Sequence, residues 1–323
     1  MRPWVSVVVP TRRRPGLLRR CLGLLMAQDF ESDAYEILVA DDGADPKTER
    51  LVEALRAAAR PRALRYIPVG DGQGPAAARN RAWRLAFGEI IAFTDDDCVP
   101  GMDWLRAGTA RFEPGVAAVT GRVIVPLPRR PTDHEANTAR LQEAEFATAN
   151  CFCRRESLAA VGGFDERFRS TWREDNDLYF SLLEQEGRVV HAPQAVVVHP
   201  IRPAPWGISL RQQRNNFFEA LLYKKHPALY RTRARRARPW LHYGASVAVA
   251  TAAAATLAGA GELAIAVGLA WLALTGRLCY ARLRETSRRP GHLLEMAVTS
   301  ALIPPLALFW RAAGAVRHRV LFL

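Results

Sequence analysis

Cysteine is scarce in this chain, and acidic residues nearly vanish from its last third. The five cysteines are Cys21, Cys98, Cys151, Cys153 and Cys279. Their number is odd and none shows Cys-x-x-Cys spacing, which excludes a disulfide framework and a thiolate zinc site. They read as small buried hydrophobes in a reducing compartment. No Gly-Lys-Ser/Thr occurs, so there is no Walker A phosphate loop. No internal repeat or low-complexity tract appears before residue 230, and Met1-Arg2-Pro3-Trp4 leads straight into a strand, so no secretory signal is expected. Residues 201–323 hold 18 Lys+Arg against 4 Asp+Glu, whereas residues 1–200 hold 27 against 28. The net charge of +13 therefore belongs to the tail. Its arginine clusters flank apolar runs. That pattern fits an anionic membrane surface and argues against nucleic acid, which needs a basic folded face with a recognition element.

What is present begins with alternation. Val5–Pro10, Tyr35–Ala40 and Ala63–Ile67 are short apolar runs that predict strands, and Ile90–Phe93 predicts a fourth. Helical stripes over Pro15–Gln28, Pro46–Ala59 and Pro75–Phe87 separate them, with proline near each start. This β-α-β-α-β-α-β order predicts a parallel sheet covered by helices. Beyond residue 100 the reading is a long strand or pair over Val116–Val125, a helix over Glu135–Ala147 and a strand over Asn150–Cys153. A short helix over Glu156–Val161, a turn at Gly162–Glu166, a helix over Glu174–Glu186 and an extended Val189–His199 complete it.

Chemistry concentrates at the strand ends. Ile90-Ile91-Ala92-Phe93-Thr94 runs into Asp95-Asp96-Asp97, and three adjacent carboxylates repel unless a positive charge lies between them. A hard divalent cation such as Mg²⁺ or Mn²⁺, shared with substrate phosphates, answers that need. Asp41-Asp42-Gly43 ends the second strand, where a carboxylate can reach a ribose or base. Gly70–Gly74 opens the helix of Pro75-Ala76-Ala77-Ala78-Arg79-Asn80, a setting suited to a diphosphate, with Arg79 adding a charge-assisted contact. Arg173-Glu174-Asp175-Asn176-Asp177 sets three carboxylates at a helix start. Such carboxylates favour the helix dipole, and one of them can act as general base toward a sugar hydroxyl. His199, closing the last strand, is either structural or a metal ligand.

These segments, in this order, resemble the inverting family 2 glycosyltransferases of GT-A fold. Val5–Thr11 is similar to the opening strand, Ala40–Gly43 to the base-recognising turn and Gly74 with Ala78-Arg79-Asn80 to the glycine and Ala-Arg-Asn segment. Asp95–Asp97 resembles the DxD motif, Gly162–Glu166 the turn before the acceptor-side helix and Glu174-Asp175 the ED motif. Ala44 departs from the serine common there. The resemblance covers about residues 4–200 and implies a GT-A-like Rossmann-type α/β sandwich with a mostly parallel central sheet. It implies Asp175 as catalytic base with Glu174 beside it. It also implies donor contacts from Pro10, Thr11, Arg13, Asp42, Gly74, Arg79, Asp95 and Asp96. Asp95, Asp97 and His199 would hold Mn²⁺ or Mg²⁺, although the triple aspartate leaves Asp96/Asp97 open as the chelating pair. Asn150, Trp172 and Asp177 would stand on the acceptor side.

The tail begins with an amphipathic stretch, Leu210–Phe218. It is only distantly like the Gln-x-x-Arg-Trp element of processive synthases, with Asn215 in place of Trp. Arg231–Arg238 then precedes Gly244–Gly276, which is too long for one span and short for two. A hairpin turning near Gly259–Glu262 keeps the arginines on both flanks on the cytoplasmic side. Leu293–Trp310, kinked at Pro304-Pro305, reads as re-entrant or interfacial. The expected layout is a nucleotide-sugar transferase domain over 1–205, connecting helices over 206–240 and membrane-associated helices over 241–323. The expected function is inverting transfer from a nucleotide-diphosphate sugar to an acceptor hydroxyl of a lipid-linked or cell-envelope glycan. It would occur at the cell membrane with the catalytic domain facing the cytoplasm. The alternatives are a sugar nucleotidyltransferase and a membrane scaffold with a degenerate transferase domain.

Overall fold

The computed structural model describes residues 2–58, 63–70, 72–234 and 240–322. The expected helix end at Ala59, Asp71 of the glycine loop and the arginines at 235, 236 and 238 lie outside the described residues. In chain order the elements are β1 (Val5–Thr11), α1 (Pro15–Met26), β2 (Tyr35–Asp41), α2 (Pro46–Ala58), β3 (Ala63–Pro68), α3 (Pro75–Leu85), β4 (Ile90–Phe93) and β5 (Val99–Pro100). There follow α4 (Trp104–Thr109), β6 (Val116–Ile124), α5 (Asp133–Ala139), β7 (Cys151–Arg154), α6 (Arg155–Ala160), α7 (Glu174–Glu184) and β8 (Arg188–Val198). The tail holds α8 (Ile208–Gln212), α9 (Asn216–Lys225), the one-turn α10 (Pro227–Leu229), α11 (Trp240–Leu257), α12 (Gly261–Leu283) and α13 (Pro290–His318). Two compact units result, one of residues 1–126 and 139–201, the other of residues 127–138 and 202–323.

The first unit is built on one sheet of order β3-β2-β1-β4-β7-β6-β8-β5. Four pairings are parallel: β1 with β2, β1 with β4, β2 with β3, and β6 with β8. β7 joins β4 and β6 in antiparallel fashion, as β5 joins β8. Every residue of β1, β2 and β4 is buried, as continuous apolar strands covered on both faces should be. α1 turns Leu18, Cys21, Leu22 and Leu25 onto the sheet. Each such leucine contributes about 1.5–3 kcal/mol. At the amino end of β2, Glu36 accepts from Ser6 Oγ (2.7 Å) and Phe87 N–H (2.6 Å) and pairs with Arg65 (3.1 Å). That buried carboxylate ties three strands together at the end opposite the acidic turns.

Three details differ from expectation. The helix expected over Glu135–Ala147 ends at Ala139, becomes a 3₁₀ turn over Arg140–Glu143, and then unwinds. Its final residues serve the core instead: Phe146 stacks on Tyr179 at 5.4 Å, and Ala147 and Ala149 are buried. Val99–Pro100 continues as a two-residue strand on the sheet edge, where proline is tolerated. Asn150, expected beside the acceptor, is fully buried. Its Oδ1 accepts from Trp104 Nε1 (2.8 Å), and its Nδ2 donates to the carbonyls of Arg122 (2.9 Å) and Ala195 (2.8 Å). All of that bonding is spent inside the core, joining β7, β6, β8 and α4.

The second unit is helical. α12 and α13 are long and apolar enough to cross a membrane by length and composition. α11 and α12 form a hairpin around Gly259, whose φ of +73° is a conformation glycine adopts freely. Inside this unit Arg282 is bidentate on Asp133 (3.1 and 2.8 Å) and donates to Thr299 Oγ1, Ser300 Oγ and Ser209 Oγ.

Replacing Asn150→Ala strands one buried donor and two carbonyls, so stability should fall by about 2–4 kcal/mol. Urea denaturation of the purified chain reads this, and a loss under 1 kcal/mol would contradict the assignment.

Candidate active site

The strand order places the site. From β1 the chain steps to β2 and β3 on one side and to β4 on the other, and a crevice opens at the carboxyl ends where the direction reverses. Thr11 at the end of β1 donates through Oγ1 to Asp96 Oδ2, beyond β4, at 2.6 Å. Arg14, just before Pro15 opens α1, lies 3.0 Å from Asp96 Oδ1 and 3.8 Å from Asp97 Oδ2. Burial pushes Asp96 up to about 7 against the pull of Arg14 and the Thr11 bond.

Asp96 is turned toward Thr11 and Arg14, while Asp95 and Asp97 also face a histidine. Asp95, Asp97, Cys98 and His199 each offer a ligand atom, all within 4.8 Å of one another. His199 Nε2 lies 3.6 Å from Asp97 Oδ1, and its buried Nδ1 has no hydrogen-bond partner among the described residues. Two carboxylates and an imidazole suit a hard or borderline divalent cation that keeps positions open for phosphate oxygens. Cys98 is a poorer donor for such an ion, since a soft thiolate suits zinc or copper rather than an oxygen-seeking cation. The geometry thus favours Asp95 with Asp97 over Asp96 with Asp97.

Arg79 carries the organisation of the site. The side chain is 1% exposed, with Nη2 on Asp95 Oδ1 at 2.8 Å and Nη1 on Glu174 Oε1 at 3.3 Å. One guanidinium thus joins the acidic strand end to the acidic start of α7. Arg79, expected at a diphosphate, has its two terminal nitrogens on the protein's own carboxylates in this structure, and its buried Nε has no hydrogen-bond partner among the described residues. The next residue extends the link. Asn80 accepts from Phe164 N–H (3.0 Å) and Trp83 Nε1 (2.9 Å), and donates to Phe164 O and Glu166 Oε1, each at 2.8 Å. Gly163, at φ +78°, brings the turn so close that a Cβ would lie 2.5 Å from Asn80 Oδ1. The Ala-Arg-Asn segment, the Gly-Gly-Phe-Asp-Glu turn, the aspartate triplet and the ED pair form one bonded assembly.

Around α7 the carboxylates divide by exposure. Glu174 is buried; desolvation first, then the Asp175 charge, pushes it up to about 8, with Arg79 opposing. Asp175 is half-buried and accepts from Asn176 N–H at 2.7 Å. Desolvation raises it too, against that bond and the charges of Arg173 and Arg79. Arg173, immediately before α7, holds a left-handed φ of +74° and lies over the Trp172 ring at 5.2 Å. Such strain in a non-glycine residue gathers at functional sites. Trp172 is exposed, whereas Asp177 is buried and its charge acts on Arg167.

On the donor side, Asp42 Oδ1 accepts from Gly74 N–H at 3.0 Å, and Arg12 lies 3.8 Å from Oδ2. Gly74, at φ +95°, allows Arg169 to approach so closely that a Cβ would lie 2.9 Å from its carbonyl oxygen. Asp41 folds the turn itself, accepting from the N–H groups of Gly43 (2.9 Å) and Asp45 (2.8 Å) and from Tyr66 OH (3.0 Å). Pro10 sits in β1 opposite Ala40, and Arg13 follows it at φ +52°. Sequence reading singled out Arg13 alone, and the structure also brings Arg12 to Asp42 and Arg14 to Asp96; three adjacent arginines look alike until the backbone is placed.

This fold and this acidic crevice define a nucleotide-sugar-type α/β transferase. Residues 6–165 match the family model described as "Glycosyl transferase family 2". The first unit of the chain belongs to that family and is a glycosyltransferase domain. Its similarity to glycosyltransferase AglE of Haloferax volcanii is 27% identity over 223 residues, covering 65% of this chain and 71% of the relative. A pre-mycofactocin glycosyltransferase of Mycobacterium tuberculosis is 29% identical over 214 residues, and there the match spans 61% of this chain but only 43% of the relative. Among solved structures, the mannosyltransferase PcManGT from Pyrobaculum calidifontis, in complex with GDP-Man and Mn²⁺, is similar in fold. Its TM-score is 0.55 at 24% identity, over 99% of this chain and 88% of that one.

Removing the guanidinium in Arg79→Met leaves the buried Glu174 without its countercharge and should cost about 3–5 kcal/mol. Chemical denaturation measures it; a stability within 1 kcal/mol of the parent would show that the bridge does not hold the site together.

Proposed function

We propose that this chain catalyses inverting transfer of a sugar from a nucleoside-diphosphate sugar to an acceptor hydroxyl. The observation that carries the reading is the Arg79 bridge, which brings Asp95 and the Glu174-Asp175 pair into one site. Asp42, at the end of β2, is the group for the nucleotide base, and Thr11 and Arg13 border the donor crevice. Asp95, Asp97 and His199 would hold Mn²⁺ or Mg²⁺. When bound, that cation supplies positive charge against the departing nucleoside diphosphate.

Asp175 is the general base. It is the carboxylate of the ED pair that stays partly exposed, whereas Glu174 is enclosed against Arg79 and raised by desolvation. Two adjacent acids with different environments divide the work: Glu174 supports the bridge and Asp175 takes the acceptor proton. Trp172, exposed beside the strained Arg173, offers a flat apolar face for the acceptor ring.

The acceptor is a lipid-linked or cell-envelope glycan. A membrane-associated tail raises the local concentration of such a substrate. Arginines on both flanks of the α11–α12 hairpin favour the cytoplasmic face for the catalytic unit. The full-length chain should release nucleoside diphosphate from a panel of nucleotide-sugars with Mn²⁺ and a polyprenyl-linked acceptor. Release of pyrophosphate instead would overturn the proposal.

Asp175→Asn should lower kcat by about 10²–10⁴-fold with donor binding kept; full activity would remove the base assignment. The sign of the pH dependence follows from the raised Asp175. A base must be deprotonated, so the acidic limb of kcat/KM should fall at a pH above the ordinary aspartate range. A limb at or below about pH 4 would contradict this environment for Asp175.

A further inference from the structure

Length and composition do not distinguish α12 from α13 as membrane-crossing helices, but their packing does. In the most apolar window of α13, 33% is buried, against 6% in α12. α13 packs against the hairpin helices and, along its length, against the charge-bearing segment from α8 to α9. Near its start, Gly207 N–H donates to Glu295 Oε1 at 2.8 Å. Farther along, Gly314 lies so close to α9 that a Cβ would overlap the Phe217 carbonyl. At its end, Lys224 Nζ donates to the His318 carbonyl at 2.8 Å. The segment from α8 to α9 thus accompanies α13 from Glu295 to His318, and it carries Arg211, Arg214, Glu219, Lys224 and Lys225. Each such charge costs about 2.5–3.5 kcal/mol at the centre of a bilayer, even on the milder scales. A crossing α13 would have to take that companion with it.

The opposite face of α13 is apolar and open. Leu294, Val298, Leu302, Phe309 and Val316 are exposed, and at ~100° per residue they fall within about 80° of arc. Met296, Ile303, Ala307 and Gly314, all buried, lie on the far side. The hairpin is rooted on this same helix. Arg282, near the end of α12, donates to Thr299 Oγ1 (2.7 Å) and Ser300 Oγ (3.0 Å) while pairing with Asp133. His242, in the first turn of α11, lies within electrostatic reach of Arg311. The half-buried Arg282–Asp133 pair marks a polar level a third of the way along α13, where a spanning helix would already be entering hydrocarbon.

We propose that α13 lies in the plane of an anionic membrane interface, with the Leu294–Val316 stripe in the acyl boundary, and that only the α11–α12 hairpin enters the hydrocarbon. The surplus of basic residues in the tail, 18 against 4, supplies the matching charge. The inference rests on the membrane association proposed above, and the experiment separates the two.

In a Cys279→Ser background, single cysteines Leu294→Cys, Leu302→Cys, Phe309→Cys and Val316→Cys are spin-labelled in the full chain. The labelled chain is reconstituted in phosphatidylglycerol-containing vesicles. Equal, shallow depths at all four positions are expected. A gradient, with Leu302 or Phe309 deep and the ends shallow, would overturn the in-plane placement while keeping the association. Full water accessibility at all four would overturn both. A second readout needs no substitution: a C-terminal tag on the unaltered chain should be cleaved by external protease whenever an N-terminal tag is. Protection of the C-terminal tag alone would mean that α13 crosses.

Discussion

A single guanidinium holds two distant acidic segments against their own repulsion. Asp95 and Glu174 are separated by nearly eighty residues, and each stands beside further carboxylates. Like charges drawn together in a desolvated site repel, so a cation between them lowers the cost of joining the two segments. Arg79 removes that obstacle from inside, buried and touching both. Its position depends on α3, whose start is set by Gly74 at a φ that L side chains avoid, beneath the Arg169 backbone. Asn80, one residue on, pins the turn that leads toward α7. The helix carrying these residues is therefore the frame on which the acidic groups are mounted.

The sheet supplies the complementary constraint. Because β1 sits between β2 and β4, its carboxyl end opens onto a crevice rather than a neighbouring loop. Thr11 closes one wall of that crevice by its bond to Asp96. Taking Asp96 out of the competition leaves Asp95 and Asp97 pointing toward His199. The aspartate triplet is thereby divided by geometry, with its middle member held by Thr11 and Arg14 and its outer members gathered with Cys98 and His199. The same division recurs at α7, where Glu174 is enclosed and Asp175 keeps access to solvent.

How much of this was legible beforehand depended on the range of the interaction. The strands and helices of the first hundred residues follow from period and proline placement, both local signals, and their order implies the site at the strand ends. The roles of Asn150 and Arg79 do not follow from local pattern. The amide of Asn150 satisfies partners 28, 45 and 46 residues away, so nothing nearby distinguishes it from a surface asparagine. Arg79 reads as a phosphate ligand because arginine at a helix start usually finds an anion, and that pattern does not reveal the two carboxylates of the protein's own that it also joins. Likewise Arg12, Arg13 and Arg14 have identical chemistry, and only the folded backbone brings Arg12 toward Asp42 and Arg14 toward Asp96. The helix expected through Ala147 failed because burial of Phe146 against Tyr179 outweighed a continued helical turn.

The tail poses a different problem, one of charge balance rather than range. In the first unit, basic and acidic residues are nearly equal, and arginines such as Arg14, Arg65 and Arg79 find internal carboxylates. The second unit has few to offer, and Arg282 uses one of them, Asp133. Most of its other cations must be neutralised from outside. Free counterions could do so, but they would leave the exposed apolar stripe of α13 and the outer faces of the hairpin in water. A polyanion such as nucleic acid would meet the charge and not the apolar area. An anionic bilayer satisfies both together, since its headgroups lie within a few ångströms of its hydrocarbon. The joint presence of surplus arginine and open apolar helix faces therefore selects a lipid surface over either alternative, on grounds independent of the chemistry at Asp175.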